Sequence, residues 1–193
     1  MSHAPAPSPT PALSGRTALV TGSSRGIGRA LADGLLAAGA RVVLNGRDTA
    51  ALEETRAAFA SAYGEGRVLA RAFDVTDEAA VAAAVDEVEE RVGPIDVLVN
   101  NAGVQHRVPL LELDLADWER VLATNLTSAF VVGRAVARHM VPRGAGRIVN
   151  IASVQADLAR PTIAPYTAAK GGLRNLTRAM CAEWASAGLQ VNA

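Results

Sequence analysis

Hydrophobic and polar residues alternate along this chain in two kinds of segment. Short apolar runs such as "TALV" and "IDVLVN" are separated by longer Ala-rich stretches, in which apolar residues recur every three or four positions. The short runs predict β-strands and the longer stretches predict helices. Because the two kinds alternate and the strands are apolar along their length, the pattern indicates an α/β fold with a parallel sheet covered on both faces.

The predicted elements follow one another in a regular order. Strands are predicted at "RTALVTG", "RVVLNG", "RVLARAFDV", "IDVLVNN", "GRIVNIAS" and "LQVNA". Helices are predicted over about 27–38, 48–62, 76–93, 114–139 and 165–186. In the first helix the apolar positions are Ile27, Leu31, Leu35 and Ala38. Asp48 is the expected N-cap of the second helix, and Thr76 or Asp77 that of the third.

The composition of the chain excludes several classes of function. The 193 residues suit one domain, and 19 basic residues balance 19 acidic ones, so no net charge would attract nucleic acid or an anionic membrane. Cys181 is alone, which excludes an intrachain disulfide and a cysteine-based metal site, and no metal site is predicted. No apolar run approaches a membrane span. Residues 1–14 are predicted to be a disordered Pro-rich tail rather than a signal peptide, residues 15–193 are the predicted domain, and the expected location is the cytoplasm.

A glycine-rich turn joins the first strand to the first helix. "TGSSRGIG" places Gly22, Gly26 and Gly28 where the chain turns sharply and where a bulky anion could approach the backbone. The helix N-terminus behind the turn supplies unpaired N–H groups and the positive end of a dipole. In this strand–turn–helix context the turn predicts a site for the pyrophosphate of a dinucleotide.

The end of the second strand bears on which dinucleotide binds. NAD sites commonly carry Asp or Glu at this point to bind the ribose 2′-hydroxyl. This chain has Asn45, Gly46 and Arg47 there, and Arg25 lies in the glycine turn. We therefore expect a preference for NADP(H), with NAD(H) possible. The alternative, that both arginines are merely solvated, stays open at this point.

The chain contains a single lysine, Lys170, against 18 arginines. It follows Tyr166 by four residues on a predicted helix, so both side chains lie on one face. A free tyrosine, with a pKa of about 10, is a poor base at neutral pH, and a neighbouring cation favours its phenolate. A lysine ammonium is a compact charge with three donors, which the wide guanidinium of arginine cannot replace in the same space. The pair therefore predicts acid–base chemistry.

Further polar residues fall at the carboxyl ends of strands. Ser153 ends "GRIVNIAS", "NNAG" ends the preceding strand, and Asn125 lies within a predicted helix, where asparagine is unfavourable. In a parallel sheet these strand ends share one edge with the glycine turn, and ligands bind there.

Together these motifs closely resemble those of the short-chain dehydrogenase/reductase family, over about residues 15–193. The resemblance implies a three-layer αβα Rossmann fold, a doubly wound parallel sheet of strand order 3-2-1-4-5-6, and reversible hydride transfer between a nicotinamide and an alcohol or ketone. It implies that Tyr166 is the general acid/base, Ser153 binds the substrate oxygen, Lys170 holds the nicotinamide ribose and stabilises the phenolate, and Asn125 anchors a water. The cofactor residues that it implies, together with the motifs above, are Gly22, Ser24, Arg25, Gly26, Ile27, Gly28, Asn45, Arg47, Asp74, Val75, Asn101, Ala102, Gly103, Tyr166 and Lys170.

Two loops resemble those of the gluconate 5-dehydrogenases within this family. They are "VQHRVPL" after "NNAG" and "SVQADLARPTIAPY" before Tyr166. This likeness implies that Arg107 binds a sugar-acid carboxylate, with His106, Gln155, Ser153 and Tyr166 completing the substrate site. Reduction of 3-oxoacyl thioesters or other ketones remains an alternative.

The chain stops at "LQVNA", where family members continue into a lid and a seventh strand. We therefore expect a C-terminally truncated member, and a nucleotide-binding fragment without turnover is the alternative from another class. The family's tetramer would be blocked and a homodimer through the long helices would remain.

Overall fold

The computed structural model describes residues 12–193. Its six strands are β1 (Thr17–Val20), β2 (Arg41–Gly46), β3 (Val68–Ala72), β4 (Ile95–Asn100), β5 (Gly146–Asn150) and β6 (Leu189–Asn192). They form one sheet in the order β3-β2-β1-β4-β5-β6, and every neighbouring pair is parallel. The predicted doubly wound α/β fold and its strand order are confirmed.

Six α-helices accompany the sheet. They are α1 (Gly26–Ala37), α2 (Thr49–Tyr63), α3 (Glu78–Arg91), α4 (Leu115–Leu122), α5 (Ser128–Arg143) and α6 (Ala164–Trp184). A π-helical turn, Ala123–Thr127, joins α4 to α5. As predicted, Asp48 caps α2, and Asp77 rather than Thr76 caps α3.

The core lies on both faces of the sheet because successive strand side chains point in opposite directions. On β1, Ala18 and Val20 join the cluster beneath α1 and α2, whereas Leu19 joins the cluster beneath α3, α5 and α6. On β4 the same alternation separates Val97 from Leu98. Helices therefore cover both faces, which explains why the central strands are apolar throughout.

The strand order changes direction between β1 and β4. The chain first adds β2 and β3 on one side of β1 and then crosses to place β4 on the other side. At such a switch point a crevice forms at the carboxyl edge of a parallel sheet.

Two helices show details that the sequence pattern did not predict. The long helix predicted over about 114–139 is present as α4, the π-helical turn and α5 in continuous helical backbone, and its last segment runs on to Arg143. The buried positions of α1 are Gly28, Ala32 and Leu36, whereas Ile27, at one of the apolar positions of the predicted helix, is 68% exposed.

The first described residues include part of the predicted tail. Leu13 packs against the apolar cluster beneath α1 and α2, and its N–H donates to Ala38 O at 2.9 Å. The folded part therefore begins before residue 15, while residues 1–11 of the predicted tail lie outside the described residues. Within the described range 12–193, no helix is both long enough and apolar enough to cross a membrane.

Candidate active site

The turn between β1 and α1 brings the backbone very close to the loop after β4. Gly22 has a φ of +63°, and a Cβ on it would lie 2.9 Å from the Cα of Ala102. A Cβ on Gly28 would collide with the carbonyl oxygen of Gly22 and the side-chain amide of Asn101. Both positions therefore require glycine, and the turn is packed tightly enough to leave the start of α1 facing the crevice.

The N-terminus of α1 differs from those of the next three helices. Aspartate side chains cap α2, α3 and α4, whereas the α1 N-cap residue Arg25 makes no side-chain bond to the first turn. The N–H groups of that turn have no partner within the helix. They can therefore bind an anion, which the helix dipole also favours.

A cleft of about 470 Å³ opens at this edge of the sheet. Apart from Gly26, Tyr166 and Lys170, it is lined by every residue predicted to contact the cofactor. These lining residues are Gly22, Ser24, Arg25, Ile27, Gly28, Asn45, Arg47, Asp74, Val75, Asn101, Ala102 and Gly103. Ile27 is exposed because its side chain forms an apolar part of the cleft wall.

Asn45 supports the cleft from beneath. Its side chain is 1% exposed, accepts a hydrogen bond from Gly22 N at 3.2 Å, and donates to Arg71 O and Phe73 O at 3.3 and 3.0 Å. Since the amide is fully engaged within the protein, Asn45 shapes the glycine turn and the end of β3.

Arg47 and Asp74 place opposite charges at the rim of the cleft. The Arg47 side chain is 70% exposed, and its Nη1 lies 3.5 Å from Asp74 Oδ2. Burial acts to raise the pKa of Asp74, but two hydrogen bonds from Thr76 and the charge of Arg47 hold it below its ordinary value. Asp74 is therefore an anion at neutral pH, and it keeps the exposed guanidinium near the cleft.

Tyr166 and Lys170 lie one turn apart near the start of α6. The Lys170 ammonium is 5.7 Å from the centre of the Tyr166 ring, on the same side of the helix. Lys170 is only 5% exposed, and its Nζ donates to Ile151 O at 2.6 Å, just after β5. Burial lowers the pKa of Lys170 to about 8. The chain thus holds its single lysine as a desolvated cation beside a tyrosine.

Asn125 and Ser153 lie on the segments that flank the start of α6. Asn125 is buried in the π-helical turn, where its side-chain nitrogen donates to Val104 O and Val121 O at 2.8 and 2.9 Å. Its side-chain oxygen accepts from Val104 N at 3.2 Å. Ser153 follows β5, and its hydroxyl accepts from Gln155 N at 3.2 Å. The π turn explains how an asparagine is accommodated inside a long helix, a feature frequent at functional sites.

This geometry agrees with comparisons to known proteins. Residues 16–193 match the family model described as short chain dehydrogenase. This chain belongs to the short-chain dehydrogenase family. It is therefore an oxidoreductase that acts on alcohol groups.

Individual relatives are similar over most of this short-chain dehydrogenase. The gluconate 5-dehydrogenase of Gluconobacter oxydans is 54% identical, covering 93% of this chain and 70% of the relative. The 5-keto-D-gluconate 5-reductase of Escherichia coli strain K12 is 46% identical with the same coverage. The crystal structure of a gluconate 5-dehydrogenase from Burkholderia cenocepacia, in complex with NADP and tartrate, is 52% identical, with a TM-score of 0.86 over 93% of this chain and 70% of that one.

The predicted substrate residues of this dehydrogenase do not line the 470 Å³ cleft. His106 Nε2 is 3.2 Å from Asp117 Oδ2 on α4, and the exposed Arg107 donates to Gln105 Oε1 at 2.9 Å. The Gln155 side-chain oxygen is buried and has no hydrogen-bond partner among the described residues. His106 and Arg107 therefore each have a partner within the protein, and the Gln155 oxygen is the polar atom of this set that is left without one.

A hydrogen bond joins the two loops that carry these residues. Val108 N donates to Thr162 O at 3.0 Å, and Thr162 has a φ of +71°. A β-branched residue in this left-handed region is rare and strained. This hydrogen bond fixes the "VQHRVPL" loop against the segment that leads to Tyr166.

Sequence reasoning missed two hydroxyl groups that assemble the cleft. Thr21 Oγ1 accepts hydrogen bonds from Asn101 N and Ala102 N, each at 3.0 Å. The fully buried Ser23 Oγ accepts from Asn45 N at 2.9 Å and donates to Val20 O at 2.8 Å. The position of both residues at the glycine turn was the available signal, but Asn45 lies on β2, and Asn101 and Ala102 lie in the loop after β4.

Proposed function

We propose that this protein is an NADP(H)-dependent oxidoreductase that interconverts gluconate and 5-ketogluconate. The observation that carries the proposal is the single lysine, buried beside Tyr166 with its ammonium 5.7 Å from the ring centre. The gluconate 5-dehydrogenase of Gluconobacter oxydans and the 5-keto-D-gluconate 5-reductase of Escherichia coli support the substrate, and the NADP in the related Burkholderia structure supports the cofactor.

The residues at the cleft fit a dinucleotide. The uncapped first turn of α1 would bind the pyrophosphate, because its N–H groups are unpaired and the glycines bring the backbone close. Ile27 and Val75 would pack against the adenine side, and Asp74 would accept from the adenine amino group. Lys170 would hold the nicotinamide ribose. When bound, the nicotinamide supplies or accepts the hydride.

The protein's own residues would handle the proton. In oxidation, the Tyr166 phenolate takes the proton from the substrate hydroxyl. The hydrogen on the carbon that carries this hydroxyl leaves as a hydride, and a ketone forms. In reduction, Tyr166 returns the proton to the oxygen. Lys170 favours the phenolate through its charge, Ser153 donates to the substrate oxygen, and Asn125 anchors a water that exchanges the proton with solvent.

The cofactor preference is tested by Arg47→Ala. Arg47 is exposed at the cleft rim, and β2 ends without a carboxylate that would repel a 2′-phosphate. Loss of one charge-assisted contact should lower kcat/KM with NADPH about 10- to 100-fold and leave the value with NADH unchanged. Arg91→Ala, which alters an arginine that is 74% exposed at the end of α3, is the matched control. Equal or better efficiency of the unaltered protein with NADH would overturn the preference.

Substrate identity is tested by following the reduced nicotinamide with gluconate, uncharged polyols and 3-oxoacyl esters. We expect turnover of gluconate, and Arg107→Ala should raise its KM about 10- to 100-fold by removing a bidentate carboxylate contact. Arg138→Ala on α5 is the control, because that exposed residue lies outside the two substrate loops. Preferential turnover of 3-oxoacyl esters would support the alternative substrate class. Tight NADPH binding with no turnover of any of these compounds would contradict the enzymatic proposal for this chain.

For assembly we propose a two-fold dimer through α5 and α6. Support comes from apolar side chains left open to solvent: Phe130 on α5 is 41% exposed, and Val154 and Leu158 before α6 are 71% and 63% exposed. Light scattering should give twice the chain mass, and Phe130→Asp should convert the dimer to monomer because a charge would be buried. A monomer, or a stable tetramer, would contradict this arrangement.

A further inference from the structure

Three polar side chains form a buried chain of hydrogen bonds beneath α6. Asn100 Nδ2 donates to Asn150 Oδ1 at 2.9 Å, and Asn150 Nδ2 donates to Thr177 Oγ1 at 2.9 Å. The three residues are 6%, 0% and 6% exposed. They therefore connect β4, β5 and α6 through the centre of the protein, away from solvent.

The same part of β5 also binds the catalytic lysine. Ile151, the residue after Asn150, donates its N–H to Asn100 O at 2.9 Å and accepts the Lys170 ammonium on its carbonyl at 2.6 Å. Two consecutive residues at the end of β5 therefore hold α6. Asn150 binds Thr177, and Ile151 binds Lys170. The two helix positions are seven residues apart, which is two turns, so they lie on the same face.

These two polar contacts constrain α6 more closely than its apolar contacts do. Met180 on the same face is buried in the apolar cluster beneath α3, α5 and α6, and such apolar contacts have no preferred direction. A hydrogen bond weakens steeply once its length or angle departs from the preferred range. Thr177 is itself held in one rotamer, because its hydroxyl donates to Leu173 O at 2.8 Å and so presents its lone pairs to Asn150.

We propose that Asn150 and Thr177 are positioning residues that fix the rotation and axial position of α6, and thereby place Lys170 and Tyr166 for proton transfer. The inference rests on the proposed catalytic function of those two residues. Neither Asn150 nor Thr177 lines the cleft, so they would act only through the helix and the Ile151 carbonyl.

The test compares Thr177→Val with Thr177→Ser. Valine keeps the shape of threonine but removes the acceptor for Asn150, whereas serine keeps the hydroxyl. We expect Thr177→Val to lower kcat about tenfold with little change in KM for NADPH, since a displaced acid–base group slows the chemical step. Thr177→Ser should restore kcat to within about threefold of the unaltered protein.

A second readout follows the lysine directly. Because the chain contains one lysine, isotope-labelled lysine gives a single side-chain NMR signal whose titration belongs to Lys170. The titration should lie near the pKa of about 8 in the unaltered protein and move upward in Thr177→Val, as the loosened helix admits water to the ammonium. Thr177→Ser should leave it in place.

Val85→Ala is the matched control for general loss of stability. Val85 is fully buried on α3 against the same face of the sheet, but it has no part in the hydrogen-bonded chain. It should lower the melting temperature without moving the Lys170 titration. If Thr177→Val leaves both kcat and the Lys170 titration unchanged, or if Val85→Ala shifts them equally, the positioning inference is wrong. If Tyr166→Phe retains full turnover, the proposed function is wrong instead, and the lysine titration still decides whether Thr177 positions Lys170.

Discussion

Tyr166→Phe should reduce kcat about 10²- to 10⁴-fold, the range typical for loss of a general acid–base group. The variant keeps the ring beside Lys170 and removes only the hydroxyl that would exchange a proton with the substrate. Binding of NADPH should persist, because the cleft around the glycine turn does not include Tyr166. Steady-state turnover and fluorescence titration with NADPH separate the two effects.

The other tyrosine in the chain provides the matched control. Tyr63, at the end of α2, donates its hydroxyl to Asp33 Oδ1 at 2.7 Å and lies outside the cleft. Tyr63→Phe should therefore retain full turnover. Undiminished activity of Tyr166→Phe would remove Tyr166 from the chemistry and, with it, the proposed role of Lys170.

Lys170→Met should abolish turnover and at the same time stabilise the fold. Turnover is lost because the cation that favours the phenolate is gone, and Lys170→Arg should not restore it, since the guanidinium is wider and the site is closed. Stability increases because the ammonium is desolvated. A pKa lowered from 10.5 to about 8 corresponds to roughly 3 kcal/mol, part of which is offset by the unpaired Ile151 carbonyl. A rise in melting temperature of several degrees is expected at pH 7.

The pH dependence of this gain in stability follows from the lowered pKa of Lys170. Below pH 8 the lysine is protonated in both folded and unfolded chains, so the folded state carries the full penalty. Between pH 8 and 10.5 the folded chain loses the proton first and the penalty fades. The stability difference between Lys170→Met and the unaltered protein should thus be largest at neutral pH and shrink above pH 8. Arg178→Met, an exposed change on the same helix, should show no such dependence, and a constant difference would contradict a desolvated lysine.

The order of elements and the pairing of Tyr166 with Lys170 could be read from the sequence because their signals are local. Alternation of strands and helices predicted the parallel sheet, and the aspartate caps follow from a few neighbouring residues. The four-residue spacing of Tyr166 and Lys170 placed both on one face of a helix, whatever that helix packs against. The glycine turn could be placed at the sheet edge for the same reason, since one strand and one helix define it.

Interactions between distant segments could not be read in this way. The burial of Lys170 against Ile151, the engagement of Asn45 by Gly22 and β3, and the Asn150–Thr177 contact each join residues more than 18 positions apart. These contacts depend on the strand order, on the strand register and on how α6 packs against the sheet, and no local sequence pattern determines these features. The sequence by itself therefore determined the chemistry available to this protein, namely a tyrosine, a lysine and an anion-binding turn. Only the tertiary structure decided which polar groups face the cleft and which are hydrogen-bonded within the protein. The reason is that the fold determines which hydrogen-bonding partners come within reach of each group.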